Sequence, residues 1–369
     1  MELRDFGRTG MRVTALGFGA MRLPQDEDEA VELLRRGMDL GLDYIDTAYG
    51  YPESERRVGK AIAGRRDQVY LSTKRPLGPW HSTTEAMTPD DYRRSIEEQL
   101  TRLGTDHVDV WHLHGLLWEA FVKFAQPQGG ILEVVRRAQE EGLVRHLAFS
   151  CHDTPANMTR LIDTGEFAAM TVQYNLIDRA NEQAMAHARE RGMAVVVMGP
   201  VGGGRLAAPS PELQALIPGG SKSSAALALR FVLANPNVTV AISGMSNRQQ
   251  LEENFATASS LGELSSAEWA AVQASLDEKR RLAELYCTGC GYCMPCPHGV
   301  DIPNNFLLMN LHRIYGLTAL AREQYGKLKE SGSKGCRAAA CVECGECEPK
   351  CPQRIAIVAQ LRETAEALG

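Results

Sequence analysis

Eight short apolar runs recur along the first 260 residues of this 369-residue chain, each followed by an amphipathic stretch. The runs are Thr14–Gly19, Tyr44–Ala48, Val69–Thr73, Val108–Leu113, His146–Ser150, Met170–Tyr174, Ala194–Met198 and Val238–Ile242. They are rich in Val, Ile and Leu without strict alternation, the pattern of parallel strands buried on both faces. The stretches between them include Asp28–Leu40, Pro89–Arg102, Gly130–Glu141, Ala180–Gly192 and Ser221–Ala234, with apolar residues three and four apart, as on amphipathic helices. Thr88-Pro89 and Thr154-Pro155 each place a capping side chain before a first-turn proline. Eight βα units predict an α/β fold of the (β/α)8 TIM barrel type. An open doubly wound sheet shares the alternation, but the number of units favours the barrel. Leu261–Leu285 reads as one further helix, entered at Leu264-Ser265-Ser266 with Glu268 after the cap.

Beyond that helix the composition changes. Of ten cysteines, only Cys151 lies in the first 280 residues, and the other nine fall between Cys287 and Cys351. This predicts a barrel domain over 1–281 and a separate, mainly helical domain over 282–369. The N-terminus lacks the apolar core of a signal peptide, and no run approaches the ~20 apolar residues that span a bilayer. The net charge of -6 argues against nucleic acid or an anionic membrane as partner. A reducing, cytoplasmic setting is expected, in which clustered cysteines bind metal rather than form disulfides.

The second cysteine run, Cys341-x2-Cys344-x2-Cys347-x3-Cys351-Pro352, has the spacing of a bacterial ferredoxin. The first, Cys287-x2-Cys290-x2-Cys293-x2-Cys296-Pro297, is one residue shorter before its last cysteine. Three closely spaced thiolates wrap three irons of a four-iron cube and a distant one caps the fourth. On the two-cluster pattern, Cys287, Cys290, Cys293 and Cys351 hold one [4Fe–4S] cluster, and Cys341, Cys344, Cys347 and Cys296 hold the other. Four-cysteine zinc sites also use C-x2-C pairs, but as two separated pairs rather than tight triplets each with a Cys-Pro. Cys336 is left over, as a plain buried thiol. Between the runs, 303–329 reads as helices with Phe306, Leu307, Leu308, Leu311, Ile314 and Tyr315 in a core. The expected architecture is therefore a barrel followed by a ferredoxin-like iron–sulfur domain.

Barrel chemistry sits at the C-terminal ends of the strands. Those ends read Asp46-Thr47-Ala48-Tyr49-Gly50-Tyr51, Ser72-Thr73-Lys74, His112-Leu113-His114, Ser150-Cys151-His152, Gln173-Tyr174-Asn175 and Ser243-Gly244. After the seventh run, Gly199 to Gly204 forms a glycine-rich loop able to lie against a phosphate. Together, Tyr44-Ile45-Asp46-Thr47-Ala48 with Tyr51, Ser72-Thr73-Lys74, His114, Val172-Gln173-Tyr174-Asn175 and Gly244-Met245-Ser246-Asn247 with Leu251-Glu252-Glu253-Asn254 resemble the aldo-keto reductase family. The resemblance spans roughly residues 1–260 and is closest to the branch that appends a ferredoxin-like domain.

The resemblance implies hydride transfer between a nicotinamide cofactor and a small carbonyl or alcohol substrate. A phenol with an ordinary pKa near ~10 is a poor acid at neutral pH without help. A neighbouring ammonium lowers it, a carboxylate keeps that ammonium charged, and an imidazole orients the substrate oxygen. Tyr51 is then the acid, Lys74 its tuner, Asp46 the partner of Lys74 and His114 the substrate-orienting donor. Tyr49 competes with Tyr51, and the family's tyrosine five after aspartate selects Tyr51. His112 competes with His114, which sits nearer the barrel mouth. Cofactor contacts carry over to Met21, Ser150, Gln173, Met198, Gly244, Gln250 and Asn254. Only Arg248 supplies a cation near the expected 2′-phosphate position, so NAD and NADP both remain open.

Three functional readings follow. The barrel is a nicotinamide-dependent reductase with structural or sensory clusters; or the clusters carry electrons between a ferredoxin-type partner and a substrate in the barrel; or the chain is a non-enzymatic redox-sensing or electron-carrying module. The complete tetrad speaks against the last. Trp80, His81, Trp118, Phe121, Phe124 and Tyr174 are candidate linings of the substrate pocket.

Overall fold

The computed structural model describes residues 1–79, 82–207, 210, 223–259, 266–287, 291, 293–351 and 354–369. Eight parallel strands close into a barrel: β3 (Leu16–Gly19), β4 (Tyr44–Asp46), β5 (Tyr70–Arg75), β6 (Val108–Leu113), β7 (Val144–Cys151), β8 (Ala169–Gln173), β9 (Ala194–Met198) and β10 (Val240–Ser243). Strand order follows chain order, and β10 closes the ring by pairing in parallel with both β9 and β3. The expected TIM barrel is thus the fold, and the open sheet is not. All six residues of β6 are buried, as two-sided burial of a parallel strand requires.

Helices follow each strand. They are α1 (Glu27–Asp39), α2 (Ser54–Ile62), α3 (Pro89–Leu103), α4 (Ile131–Glu140), α5 (Pro155–Asp163), α6 (Glu182–Glu190), α7 (Ser224–Ala234) and α8 (Arg248–Ser259). A short helical segment, Trp118–Ala125, precedes α4 in the loop after β6. The anticipated caps form: the Thr88 and Thr154 side chains accept from the backbone N–H groups of Asp91 and Asn157. The helix expected after the second run is the nine-residue α2, but its entry was not anticipated: it starts from Glu53 in a left-handed conformation (φ 55°), with no capping side chain to announce it.

An N-terminal hairpin was also unforeseen. Its strands β1 (Leu3–Asp5) and β2 (Arg12–Thr14) are three residues long, too short to show a period. The hairpin packs Phe6, Met11 and Val13 against Tyr44, Ala169, Ala194 and Val240, the first residues of four barrel strands. Phe6 stacks on Tyr44 with ring centroids 5.5 Å apart. The hairpin therefore closes the N-terminal end of the barrel, and the strands' C-terminal ends carry the functional loops.

The chain divides into two compact units, residues 1–203 with 228–264, and 204–227 with 265–369. The second holds α9 (Ser266–Tyr286), α10 (Ile302–Arg313), α11 (Thr318–Gly326) and α12 (Ile357–Leu368). In it Phe306, Leu308, Leu311 and Ile314 are buried as expected, but Leu307 is 57% exposed and Tyr315 only half-buried. At 100° per residue, Leu307 turns away from the face shared by Phe306 and Met309. Cys336 is buried, and its Sγ donates to the Gly332 carbonyl at 3.4 Å. Residues 264 and 265 of the expected cap to α9 lie outside the described residues. Among the described residues no helix is long and apolar enough to cross a membrane.

Candidate active site

Asp46 ends β4, and alternation along β5 turns Ser72 and Lys74 to the barrel interior beside it. Lys74 Nζ donates to Asp46 Oδ2 at 2.5 Å and to the Thr47 carbonyl at 2.8 Å. Both side chains of the pair are 2% exposed. Burial pulls the Lys74 pKa down, but Asp46 and then Tyr51 outweigh it and hold it above the ordinary lysine value.

The loop that carries Tyr51 is pinned to its neighbours. Thr47 N donates to the Ser72 carbonyl (2.9 Å), Tyr49 N to the Lys74 carbonyl (3.0 Å), and Ser54 Oγ to the Ala20 carbonyl (2.7 Å). Tyr51 is thereby set against Lys74, with Nζ 5.2 Å from its ring centroid. His114 lies one residue past β6, its N–H bonded to the Arg75 carbonyl at 2.9 Å. Its ring meets Tyr51 edge-on, with centroids 6.0 Å apart at 85°. The four residues of the expected tetrad converge at the barrel mouth.

The competing residues go elsewhere. Tyr49 lies between two guanidinium groups, with Arg75 at 3.5 Å and Arg102 at 4.5 Å from its ring centroid. The Arg102 hydrogen bond, then the Arg75 charge, lower its pKa. His112 is fully buried inside the barrel, between Ser72 Oγ (3.3 Å) and Thr171 Oγ1 (2.9 Å). Burial and then the Lys74 charge hold its pKa well below the usual imidazole range.

A second polar layer lies outside β5. Thr73 Oγ1 donates to buried Glu55 Oε1 at 2.7 Å, Gln99 Nε2 donates to the same carboxylate, and Arg102 Nη1 reaches Glu55 Oε2 at 3.3 Å. Glu55 and this bracing of β5 were missed from sequence. A Glu in the first turn of a helix looks like a solvated dipole partner.

The candidate cofactor residues fall on β7 to β10 and β3, the arc that completes the rim beside β4 to β6. Ser150 is buried, and its Oγ accepts from Gly115 N at 3.2 Å, tying β7 to the turn that carries His114. Gln173 pairs in register with Met198. Its amide lies against Gly199, where a Cβ would come within 2.6 Å of Nε2 at φ +63°, so only glycine fits. Met21 is 63% exposed just past β3. Asn254 Nδ2 donates to Ser243 Oγ at 3.1 Å, and Gln250 Oε1 accepts from Ser246 N at 2.8 Å. Arg248 is engaged with Glu252 at 2.9 Å. Gly244 instead lies beside Arg22, whose side-chain carbons are 3.7 Å from where a Cβ would be. Arg22 is a cation that sequence reasoning missed, because only the β3–β10 pairing brings it to Gly244.

Of the expected pocket linings, Trp80 and His81 lie outside the described residues. Phe121 and Tyr174 are buried in packing: Phe121 stacks with Trp118 at 5.9 Å, and Tyr174 with Phe231 at 5.5 Å. Tyr174 also donates to Glu182 Oε1 at 2.9 Å. These two side chains pack against neighbouring loops and helices. Phe124 sits beside Lys123, whose ammonium is 5.0 Å from its ring centroid.

In the second unit, Cys293, Cys296, Cys341, Cys344 and Cys347 line a single cavity, walled by Ile302, Val342 and Leu361. The last cysteine of the first run thus meets three from the second. Cys287 and Cys351 are partly exposed, and Cys290 lies outside the described residues.

The aldo/keto reductase family model matches residues 15–277. The chain belongs to the aldo/keto reductase family. A 4Fe-4S dicluster domain matches residues 286–356. Similar proteins include the uncharacterized oxidoreductase YqkF of Bacillus subtilis, 27% identical over 70% of this chain and 91% of that protein. L-galactose dehydrogenase of Arabidopsis thaliana is 28% identical over 72% of this chain and 90% of its own. Among solved structures, the aldo-keto reductase AKR11C1 from Bacillus halodurans in its holo form is 28% identical with a TM-score of 0.65, covering 74% of this chain and 96% of that one. The chain is therefore an oxidoreductase of this family carrying an appended 4Fe–4S domain. The family implies a nicotinamide cofactor and the dicluster domain implies 4Fe–4S clusters.

Proposed function

We infer that the barrel interconverts a carbonyl and an alcohol, with Tyr51 as general acid and base. The observation that carries this reading is the buried Asp46–Lys74 pair with Tyr51 set against its ammonium. The residues present fit a nicotinamide dinucleotide. Ser150 and Gln173 offer a hydroxyl and an amide to a carboxamide, and Gly244 leaves bare backbone beside the Arg22 cation for a phosphate. Bound nicotinamide supplies or takes the hydride. Tyr51 donates its phenolic proton to the substrate oxygen, and Lys74 stabilises the phenolate left behind. Asp46 keeps that ammonium charged at full burial. His114, facing Tyr51, orients the same oxygen. Residues along the arc from Ser150 to Asn254 would hold the dinucleotide, NAD or NADP.

The dicluster match and the cysteine spacing support two [4Fe–4S] clusters. Cys296, Cys341, Cys344 and Cys347, the set expected for one of them, line one cavity together with Cys293 of the other set. The remaining set is Cys287, Cys290, Cys293 and Cys351. Cys344 is exposed, which favours a second reading in which the clusters exchange electrons with a ferredoxin-type partner.

Anaerobically purified protein titrated with NADH and NADPH tests the first reading: binding shifts the cofactor fluorescence, and an aldehyde series then oxidises it. Failure to bind either nucleotide overturns it. Turnover with a reduced low-potential donor and no nicotinamide supports the second.

A further inference from the structure

Inside the barrel, a line of polar groups runs from β8 to Asp46. Thr171 Oγ1 is 2.9 Å from His112 Nε2, His112 Nδ1 is 3.3 Å from Ser72 Oγ, and Ser72 Oγ donates to Asp46 Oδ1 at 2.9 Å. Thr171, His112, Ser72 and Asp46 are each at most 2% exposed, so no bulk water competes for these bonds.

The direction of every bond follows from its end. A carboxylate only accepts, so the single Ser72 proton is committed to Asp46. Ser72 Oγ is then an acceptor toward His112, and a hydrogen bond between them puts the proton on Nδ1, with the Thr73 backbone as a further partner of the ring. A neutral imidazole has one N–H, so Nε2 is the acceptor and Thr171 the donor. The Tyr44 hydroxyl, buried in the same interior, also faces Ser72, but outside the geometry of a full hydrogen bond. Thr171, His112 and Ser72 all point their protons toward Asp46 Oδ1, while Lys74 donates to Oδ2.

We propose that His112 is a positioning residue for the reaction, held as the neutral Nδ1–H tautomer so that Ser72 fixes the Asp46 carboxylate for Lys74 and hence for Tyr51. It touches neither substrate nor cofactor. The proposal rests on the reading of Tyr51 as the acid, but its hydrogen-bond chain stands without a nicotinamide.

Two measurements test it separately. Long-range 1H–15N spectra of histidine-labelled protein, with the His112 signal assigned by its loss in His112→Asn, read the tautomer directly. A neutral ring protonated at Nδ1 is expected; protonation at Nε2, or a charged ring, overturns the chain whatever the activity. Kinetics test the consequence. His112→Leu removes the donor, and loss of one hydrogen bond of about 1 kcal/mol lowers kcat by roughly fivefold. Cofactor dissociation constants stay unchanged. His112→Asn, whose amide donates from nearly the Nδ1 position, restores most of kcat. Ser72→Ala matches His112→Leu, and the double variant is no worse than either, as expected of one chain. Unchanged kcat in folded His112→Leu, or equal losses in His112→Leu and His112→Asn, overturns the positioning role. Absence of nicotinamide turnover in the wild type, with the Nδ1–H tautomer present, instead faults the reading of the reaction.

Discussion

Lys74 Nζ lies 2.5 Å from Asp46 Oδ2, and neither side chain is more than 2% exposed. Two opposite charges this deep persist only as a pair. Removing one leaves the other uncompensated, at about 3–5 kcal/mol. Asp46→Asn should therefore lower the thermal stability markedly and abolish turnover. The pH dependence has a definite sign. The folded Lys74 pKa lies above its ordinary 10.5. The pair's contribution is then complete below pH 10.5 and fades as pH rises through the folded value. Thermal unfolding of wild type and Asp46→Asn from neutral to strongly alkaline pH should show a constant gap that narrows only above pH 10.5.

Cys151 follows the Ser150 expected to face the cofactor, but its thiol is inward and inert. Burial, opposed by a hydrogen bond from Asp153 N, pushes its pKa up to about 12. At pH 8 the thiolate is then about one part in ten thousand. Iodoacetamide at that pH should leave Cys151 unlabelled in the folded protein and alkylate it after unfolding, as read by peptide mass spectrometry.

The cysteine cavity predicts a graded loss of iron. Intact protein should bind about eight irons per chain. Cys344→Ser, which removes a ligand of the cavity-bound set, should bring this to about four while the barrel stays folded. Cys336→Ala lies apart, with its thiol on the Gly332 carbonyl, and should leave the iron content unchanged. Iron and sulfide assays on anaerobic samples decide between these outcomes.

The hairpin under the barrel is a matter of stability alone. Phe6 is fully buried against Tyr44 at the end opposite the catalytic loops. Phe6→Ala should cost about 3–5 kcal/mol in denaturant unfolding. The folded fraction should keep its kcat.

What could be foreseen follows from how far each signal reaches along the chain. The barrel strands were legible because two-sided burial writes continuous apolar runs, as in Val108–Leu113. Asp46, Tyr51, Lys74 and His114 were legible because each sits at the end of such a run. The choice between His112 and His114 was harder, since both follow the same period of two. The structure separates them by ending β6 at Leu113, which leaves His112 inside and His114 on the rim. Contacts between distant segments left no local trace: Arg22 beside Gly244, Glu55 against Thr73, and the three-residue strands of the hairpin. Leu307 misled because its apolar neighbours share its helix but not its face.

The central claim is that Tyr51, set against the Lys74–Asp46 pair, delivers the proton while a nicotinamide delivers the hydride. Turnover of an aldehyde with NADH or NADPH carrying deuterium at both positions of C4 of the ring, followed by mass analysis of the alcohol, tests it most directly. The account predicts one deuterium in the product with wild type. It also predicts at least a ~100-fold slower reaction with Tyr51→Phe, at unchanged nucleotide affinity. An alcohol without deuterium, or a Tyr51→Phe variant that turns over at the wild-type rate, would contradict it.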